Sequence, residues 1–423
     1  MERRDRPLPG CHCPARPPAR AAVAVRGGGH SIPGHSVCEG GLMLDLSPMK
    51  AITVDPDART ADVAPGVLWR EFDAAAQAYG LATPGGEISD TGVAGLTLGG
   101  GIGWLSRLHG LAADNLIAAQ LVTADGTVLH VDDTIDPVLM WGLRGDGGNF
   151  RIVTVFRFQL HDVGPVFGGM VLHPADQAVE ALQLCRDVGA ELPAEVGIVA
   201  AVVTAPPIPQ FPPELRDRPV ACIAAAHFGN LEAGERLLRP LQHTLHPAPS
   251  SRHFRRTALH RTAADVRRRH RGRPGPCYAK SDFLREVDNA AIEQLVANGT
   301  HPSSPHNQVL LRRLGGRMQN PAVATAFGHR DATHMLLAAS TWDDAAQDPT
   351  PHIDWTRDTW AALRLWSCGT YVNHLGDEGA HRIQEAYPAD TWRRLTTLKA
   401  RLDPGNVFAL NQNIPPAPRP QQS

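Results

Sequence analysis

The chain has 423 residues, 43% of them hydrophobic and 20% charged, with a formal net charge of -2. That length admits two or three domains with ordinary cores, and near-neutrality removes any electrostatic reason to expect a nucleic acid or a membrane surface as partner. No run approaches the roughly 18 to 20 apolar residues of a membrane-crossing helix, and the Arg3-Arg4 pair lacks the apolar stretch of a secretory signal. The seven cysteines, at 11, 13, 38, 185, 222, 277 and 368, form no C-x-x-C pair. Neither a disulfide framework nor a zinc site is expected, and a cytoplasmic location fits best.

Residues 1–20 hold five prolines without hydrophobic periodicity and read as a disordered lead-in. Order is expected from Ala21, where "AAVAV" predicts a buried strand that empties into "RGGGHSIPGHS". "LMLDL", "AITVD" and "TADVAPG" predict further strands, and Val67, Leu68, Phe72, Ala75, Ala76 and Tyr79 recur at helical spacing up to a stop at Gly80. A second glycine-rich passage runs from Pro84 to Trp104. "AAQLVTADGTVLHV" reads as a hairpin turning at Asp125-Gly126, and a third glycine passage, "LRGDGGNFRIVTVFRFQL", leads into a strand. From Gly164 the texture changes. Helices at "ADQAVEALQLCRDVGA", "LEAGERLLRPLQHTL" and about Ile353 to Trp366 mingle with strands at "VGIVAAVVTA", "PVACIAAAHFG", "ATHMLLAASTW" and "TYVNHL", an α+β pattern that points to a second domain. Between Arg252 and Arg273, nine arginines surround Asp265 alone, which reads as a solvated loop in preference to a basic nucleic-acid arm.

Glycine lets backbone amides crowd against a phosphate, so Gly27-Gly28-Gly29 after a strand can cradle a pyrophosphate, although one such loop can equally be a tight turn. Three glycine passages within the first 150 residues favour the cradle. "GGGIGW" fits the dinucleotide fingerprint poorly, and no G-x-x-x-x-G-K-S/T, H-E-x-x-H or G-x-S-x-G is present. His30 and His35 have no accompanying ligand pattern beyond Cys38, so no metal is expected. A histidine inside a glycine loop is instead a nucleophile with space beside it for a large planar ring.

"VRGGGHSIPGHSVCEGGLMLDLS", "GGEISDTGVAGLTLGGGIGWLSRLHGLAADNL", "LRGDGGNFRIVT", "YVNHLGDEG" and "LDPGNVFALNQNIPP" together resemble, in order, the berberine bridge enzyme-like FAD-linked oxidases, over about Ala21 to Pro416. These have a vanillyl-alcohol-oxidase-type (PCMH-type) FAD-binding domain. The resemblance implies an α+β fold with a two-part FAD-binding domain, residues 21–163, plus a substrate domain, residues 164–366, whose antiparallel sheet is backed by helices. Residues 367–416 would return to the FAD domain and 417–423 would form a tail.

The implied activity is that of an FAD-dependent oxidase passing hydride from a small alcohol, sugar or secondary metabolite to flavin N5, with molecular oxygen as acceptor. By the same resemblance His30 would carry the flavin 8α-methyl. Arg26, Gly27, Gly28, Gly29 and Ser31 would wrap the pyrophosphate. Ser89, Thr91, Gly92, Gly95, Gly99, Gly100, Gly101 and Gly103 would line the phosphates and ribityl chain, and Gly148, Asn149 and Val153 would add cofactor contacts. Asn411 and Gln412 would reach back toward the ring. Ile88 stands where doubly linked members carry cysteine, so a single histidyl link is expected. Tyr371 of "YVNH" aligns with the family's base, and His374, replacing a second tyrosine, is the other candidate proton acceptor, with a pKa near 6.5.

Departures from the family accompany the match. Asp146 interrupts a glycine run, and Arg151 replaces a glycine, which would strain the backbone if that position needed a positive φ. A proline-rich lead-in stands where the family has a further strand and helix, and the FAD domain reads as truncated there. The arginine-rich insert replaces an ordinary loop and helix. Frame errors at these two places would leave the alternative, a catalytically impaired flavin-binding protein.

Overall fold

In a computed structural model, residues 22–208, 211–245, 251–257 and 275–418 are described. The lead-in, residues 1–20, and the arginine-rich segment beyond residue 257 lie outside them. β1 (Val23–Arg26) pairs in parallel with β2 (Leu42–Asp45). Parallel neighbours need a crossover, and here the first glycine loop is that crossover. β3 (Ile52–Asp55), β4 (Thr60–Val63), β6 (Leu116–Thr123), β7 (Val128–Asp132) and β8 (Arg151–Gln159) form an antiparallel sheet in the order β3-β4-β8-β6-β7. The short strands β5 (Leu81–Ala82) and β9 (His161–Asp162) pair beside it.

The apolar stripe expected before Gly80 becomes the helix Trp69–Gln77. Its Trp69, Phe72 and Ala76 join Phe156 and Phe158 of β8 in the first core. At its N-terminus the Leu68 amide donates to the Glu71 carboxylate at 2.7 Å, which satisfies a donor that the helix itself leaves unpaired.

β10 (Val166–Pro174), β11 (Val196–Thr204), β12 (Pro219–His227), β13 (Ser251–Thr257), β14 (Cys277–Leu284), β15 (Gln308–Arg313), β16 (His334–Thr341) and β17 (Ser367–Gly369) make an eight-stranded antiparallel sheet. Its order is β13-β10-β12-β11-β15-β16-β14-β17. Strand residues alternate between two faces. Ile198, Ala200, Ile223, Leu311 and Leu336 pack under the helices Ala178–Glu191, Leu231–His243 and Asn289–Gly299. The residues between them face the glycine loops: Val199 packs with Trp104 and Leu105, while Phe283 and Met335 pack with Ile102 and Tyr371.

The two sheets are also tied by charge, with the Arg330 guanidinium gripping the Asp114 carboxylate at 2.6 and 2.8 Å. After β17 the chain packs into the first core through Tyr387, Leu395, Leu398 and Ile414. No helix among the described residues is long and apolar enough to cross a membrane.

Three expectations are corrected. The start of the arginine-rich segment is not a loop but part of the edge strand β13, paired with β10, with Arg255 and Arg256 exposed. "TYVNHL" is not a strand: β17 stops at Gly369 and Val372–His374 is a single 3-10 turn. The Tyr371 and Asn373 side chains reach toward the second glycine loop there, and the turn that aims them takes the backbone off the sheet edge. The helix read as Ile353 to Trp366 instead spans Thr350–Ala362, because Pro351 can sit in a first turn that has no amide partner.

Candidate functional site

The first two glycine loops meet backbone to backbone. A Cβ added to Gly28 would fall 2.4 Å from the Gly92 Cα, so only glycine permits the approach. Among the described residues, the amides of residues 27–31 donate to no other group. A run of free N–H donors on a loop beside a second loop is the donor chemistry that a diphosphate requires. Ser89 and Thr91 shape the second loop, since their carbonyls accept from the Arg70 and Trp69 amides at 2.8 and 3.0 Å. Gly95 sits in the helix Val93–Leu98 with open space where a side chain would go. His30 is half exposed, with Nε2 3.9 Å from the Asp90 carboxylate.

In the run Gly99 to Gly103 the backbone amides make their hydrogen bonds within the protein. The amides of Gly101 and Ile102 donate to Tyr371 Oη at 3.1 and 3.3 Å, and that of Gly103 to Ser106 Oγ at 2.8 Å. These amides face protein groups. The Gly100 amide is likewise used within the loop, on the Thr97 carbonyl, and Gly99 abuts Asn373.

In the third loop Gly148 has φ +83 and donates to Asp146 Oδ1 at 2.6 Å. Asn149 is buried and ties the C-terminal segment down, donating to the Gln412 carbonyl at 3.0 Å and accepting from the Ile414 amide at 2.8 Å. Asn411 donates to the Gly147 carbonyl at 2.7 Å. Both asparagine side chains thus join one part of the protein to another. Val153 lies in the first core.

The departures at Asp146 and Arg151 answer each other. Their side chains are fully enclosed and ion-paired at 2.5 Å. Arg151 opens β8 without a positive φ, so no backbone strain arises. Burial pushes the Asp146 carboxyl up and the Arg151 guanidinium down, and each partner pulls the other back. Nearby, Lys399 Nζ donates to the carbonyls of Asn149 and Phe408 and to Asp403 at 2.5, 2.8 and 2.7 Å.

Tyr371 stands where the two sheets meet, 2% exposed. Besides the two backbone amides, Asn373 Nδ2 donates to its Oη at 2.9 Å, so three N–H groups aim at one phenol oxygen. Burial pushes the phenol up and these bonds pull it back. The His374 ring lies edge-on to it at 4.9 Å, with Nδ1 enclosed and unpartnered. Burial above all, then the charges of His30 and Arg312, bring His374 down to about 4. It is therefore neutral at pH 7, and the expected value near 6.5 is corrected.

A feature missed in the sequence lies beside this pair. Glu87 of the second loop and Arg312 of β15 form a largely enclosed ion pair, and Arg312 lies over the Trp104 ring with 5.2 Å to its centroid. An acid inside "PGGEISD" was the available signal, but its partner is far away in the chain. Among the described residues no group of three or more His, Cys, Asp or Glu is placed to hold a metal ion.

Two antiparallel sheets, a glycine loop of free amides between the separate parallel strands β1 and β2, and an enclosed tyrosine where the two large sheets meet are the frame on which comparison with known proteins places an FAD-binding oxidoreductase. The FAD binding domain family matches residues 18–132, and the berberine and berberine like family matches residues 370–415. The chain belongs to the berberine bridge enzyme-like FAD-linked oxidoreductases. It is 31% identical over 403 residues to an FAD-linked oxidoreductase of Dictyostelium discoideum, covering 93% of this chain and 83% of that one. It is 28% identical over 414 residues to the (R)-6-hydroxynicotine oxidase of Paenarthrobacter nicotinovorans, covering 93% and 86%. The crystal structure of 6-hydroxy-D-nicotine oxidase from Arthrobacter nicotinovorans superposes with a TM-score of 0.82 at 25% identity, over 93% of this chain and 86% of that one. The berberine bridge enzyme-like protein 1 of Physcomitrella patens shares the fold, with a TM-score of 0.81 at 23% identity over 93% and 86%.

Proposed function

We propose that this protein is an oxidase that holds FAD covalently through His30, takes hydrogen from a carbon bearing a hydroxyl or amine in a small alcohol, sugar or secondary metabolite, and returns the electrons to molecular oxygen. The observation that carries this reading is Tyr371 Oη, enclosed at the junction of the two sheets under three N–H donors and beside a neutral imidazole. Bound FAD supplies the hydride acceptor and the redox chemistry. Arg26 to Ser31, with Ser89, Thr91 and Gly92, would hold its diphosphate, and the half-exposed His30 is accessible for attachment.

Burial keeps the Tyr371 phenol above its ordinary range, so it rests protonated and must first give up its own proton before it can take one from a substrate hydroxyl; the three N–H donors favour that step by stabilising the phenolate. His374, neutral and with a free Nδ1, can accept a proton in turn. That a relative is named for oxidising 6-hydroxynicotine supports a small organic molecule as substrate. The departures at Asp146 and Arg151 give no support to the alternative of a damaged flavin-binding protein, since the two side chains pair with each other.

The test is to express the full chain and examine its colour. A yellow protein that keeps its flavin through acid precipitation, loses it in His30→Ala, and consumes oxygen with an alcohol or amine is expected. A colourless protein overturns the reading.

A further inference from the structure

The face of the eight-stranded sheet that looks toward the glycine loops is ordered in rows by its strand register. The innermost row runs Met170, Ala224, Val199, Arg312, Met335 and Phe283, each paired with the next. Its far end packs directly on Tyr371 and its middle on Trp104. One step outward along each strand, the next row runs Leu172, Cys222, Ala201, Leu310, Leu337 and Ser281.

This second row holds no charged side chain. Phe211 and Leu215 cover its Leu172, Cys222 and Ala201 end. Leu310 and Leu337 remain partly open. Ser281 closes the row, 1% exposed and with an Oγ that finds no partner. In the row nearer the loops, Arg312 is the charged residue, and Glu87 already engages it. On the floor itself a molecule beside Tyr371 would meet two leucines and one unpaired hydroxyl, with the His374 Nδ1 the other unpartnered polar atom at the Tyr371 end.

We infer that the substrate is a largely apolar alcohol or amine, not a carbohydrate, lying on Leu310 and Leu337 with its one reacting polar group toward Tyr371 and Ser281. This rests on the oxidase reading above. A sugar would bring several hydroxyls to a surface with almost nothing to bond them, and each hydroxyl left dry and unpaired weakens binding. An aliphatic or aromatic body loses little there and gains by leaving water.

The holoprotein, without oxygen, is titrated with 4-methoxybenzyl alcohol and benzylamine on one side and glucose and cellobiose on the other, while the flavin spectrum is followed. The apolar probes are expected to perturb or bleach the flavin at concentrations at least tenfold below those of the sugars, and Leu337→Gln to narrow that preference at least tenfold. Leu310→Gln replaces it if the first variant does not fold. A yellow protein that prefers a sugar, or whose flavin is indifferent to both apolar probes, overturns the inference and leaves the oxidase reading standing. So does an unchanged preference in a folded glutamine variant. A colourless protein removes the oxidase reading and this one with it.

Discussion

Tyr371 and His374 are three positions apart, yet their surroundings push them in opposite directions. Burial is the cause in both: it disfavours the phenolate and so raises Tyr371 against the pull of its N–H donors, and it disfavours the imidazolium and so lowers His374, with nearby positive charge adding to the effect. Tyr371→Phe keeps the ring and removes only the oxygen. It is expected to slow flavin reduction by about 10²- to 10⁴-fold, the usual worth of a positioned acid or base, with flavin content unchanged. Rapid-mixing absorbance checks this, and a loss of less than tenfold would assign the oxygen a structural role. The alignment of "YVNH" with the family brought Tyr371 forward as a candidate. The donors that act on it come from Gly101, Ile102 and Asn373, and nothing in the spacing of the chain joins the first two of these to it.

At the scale of elements, the third glycine loop and the start of β8 hold an enclosed charge pair that a sequence comparison reads as two separate blemishes. Breaking a buried pair from one side leaves a charge without a partner, so Arg151→Met or Asp146→Asn alone is expected to cost about 3 to 5 kcal/mol. In the double variant Asp146→Asn with Arg151→Met the loss should be well below the sum of the two single losses. Urea unfolding of the four proteins measures this, and additive losses would show that the residues do not act together.

The contact between the first and second loops has its own prediction. Gly28→Ala places a Cβ 2.4 Å from the Gly92 Cα, which must part the loops. The flavin content of the purified variant should fall sharply while far-UV circular dichroism is retained. Strands and helices with strong periodicity, such as the helix ending before Gly80 and the hairpin at Asp125-Gly126, were legible along the chain. "TYVNHL" was not, because its apolar alternation matches a strand while its side chains serve the neighbouring loop.

For the whole molecule, several histidines are kept neutral by enclosure. His374 and His109 are brought down to about 4 and His334 to about 3, burial being the first cause in each. Between roughly pH 6.5 and 4 the unfolded chain binds protons at these sites that the folded one does not, so stability falls as the pH drops through that window. Asp73 works the other way: burial pushes it up to about 7, and its folded form holds a proton that the unfolded chain releases. Three histidines outweigh one aspartate. The melting midpoint should be lower at pH 5 than at pH 7, and Asp73→Asn should steepen the difference. A midpoint independent of pH across that range would contradict the enclosure of these rings.

What the sequence determined by itself is local or repeated in kind: the strand that enters "RGGGHS", the glycine passages, the change of texture near Gly164, and the family that these motifs mark in combination. Glycine and hydrophobic period act over a few residues, so they can be read along the chain. The junction was decided only in three dimensions. Arg312 reaches Glu87, Asn149 holds the C-terminal segment, and the row through Leu310 and Leu337 faces the loops because strands distant in sequence pair in a fixed register. Pairing between distant strands leaves no period in the sequence, and the environment that sets each side chain's charge and exposure exists only once the two sheets have met.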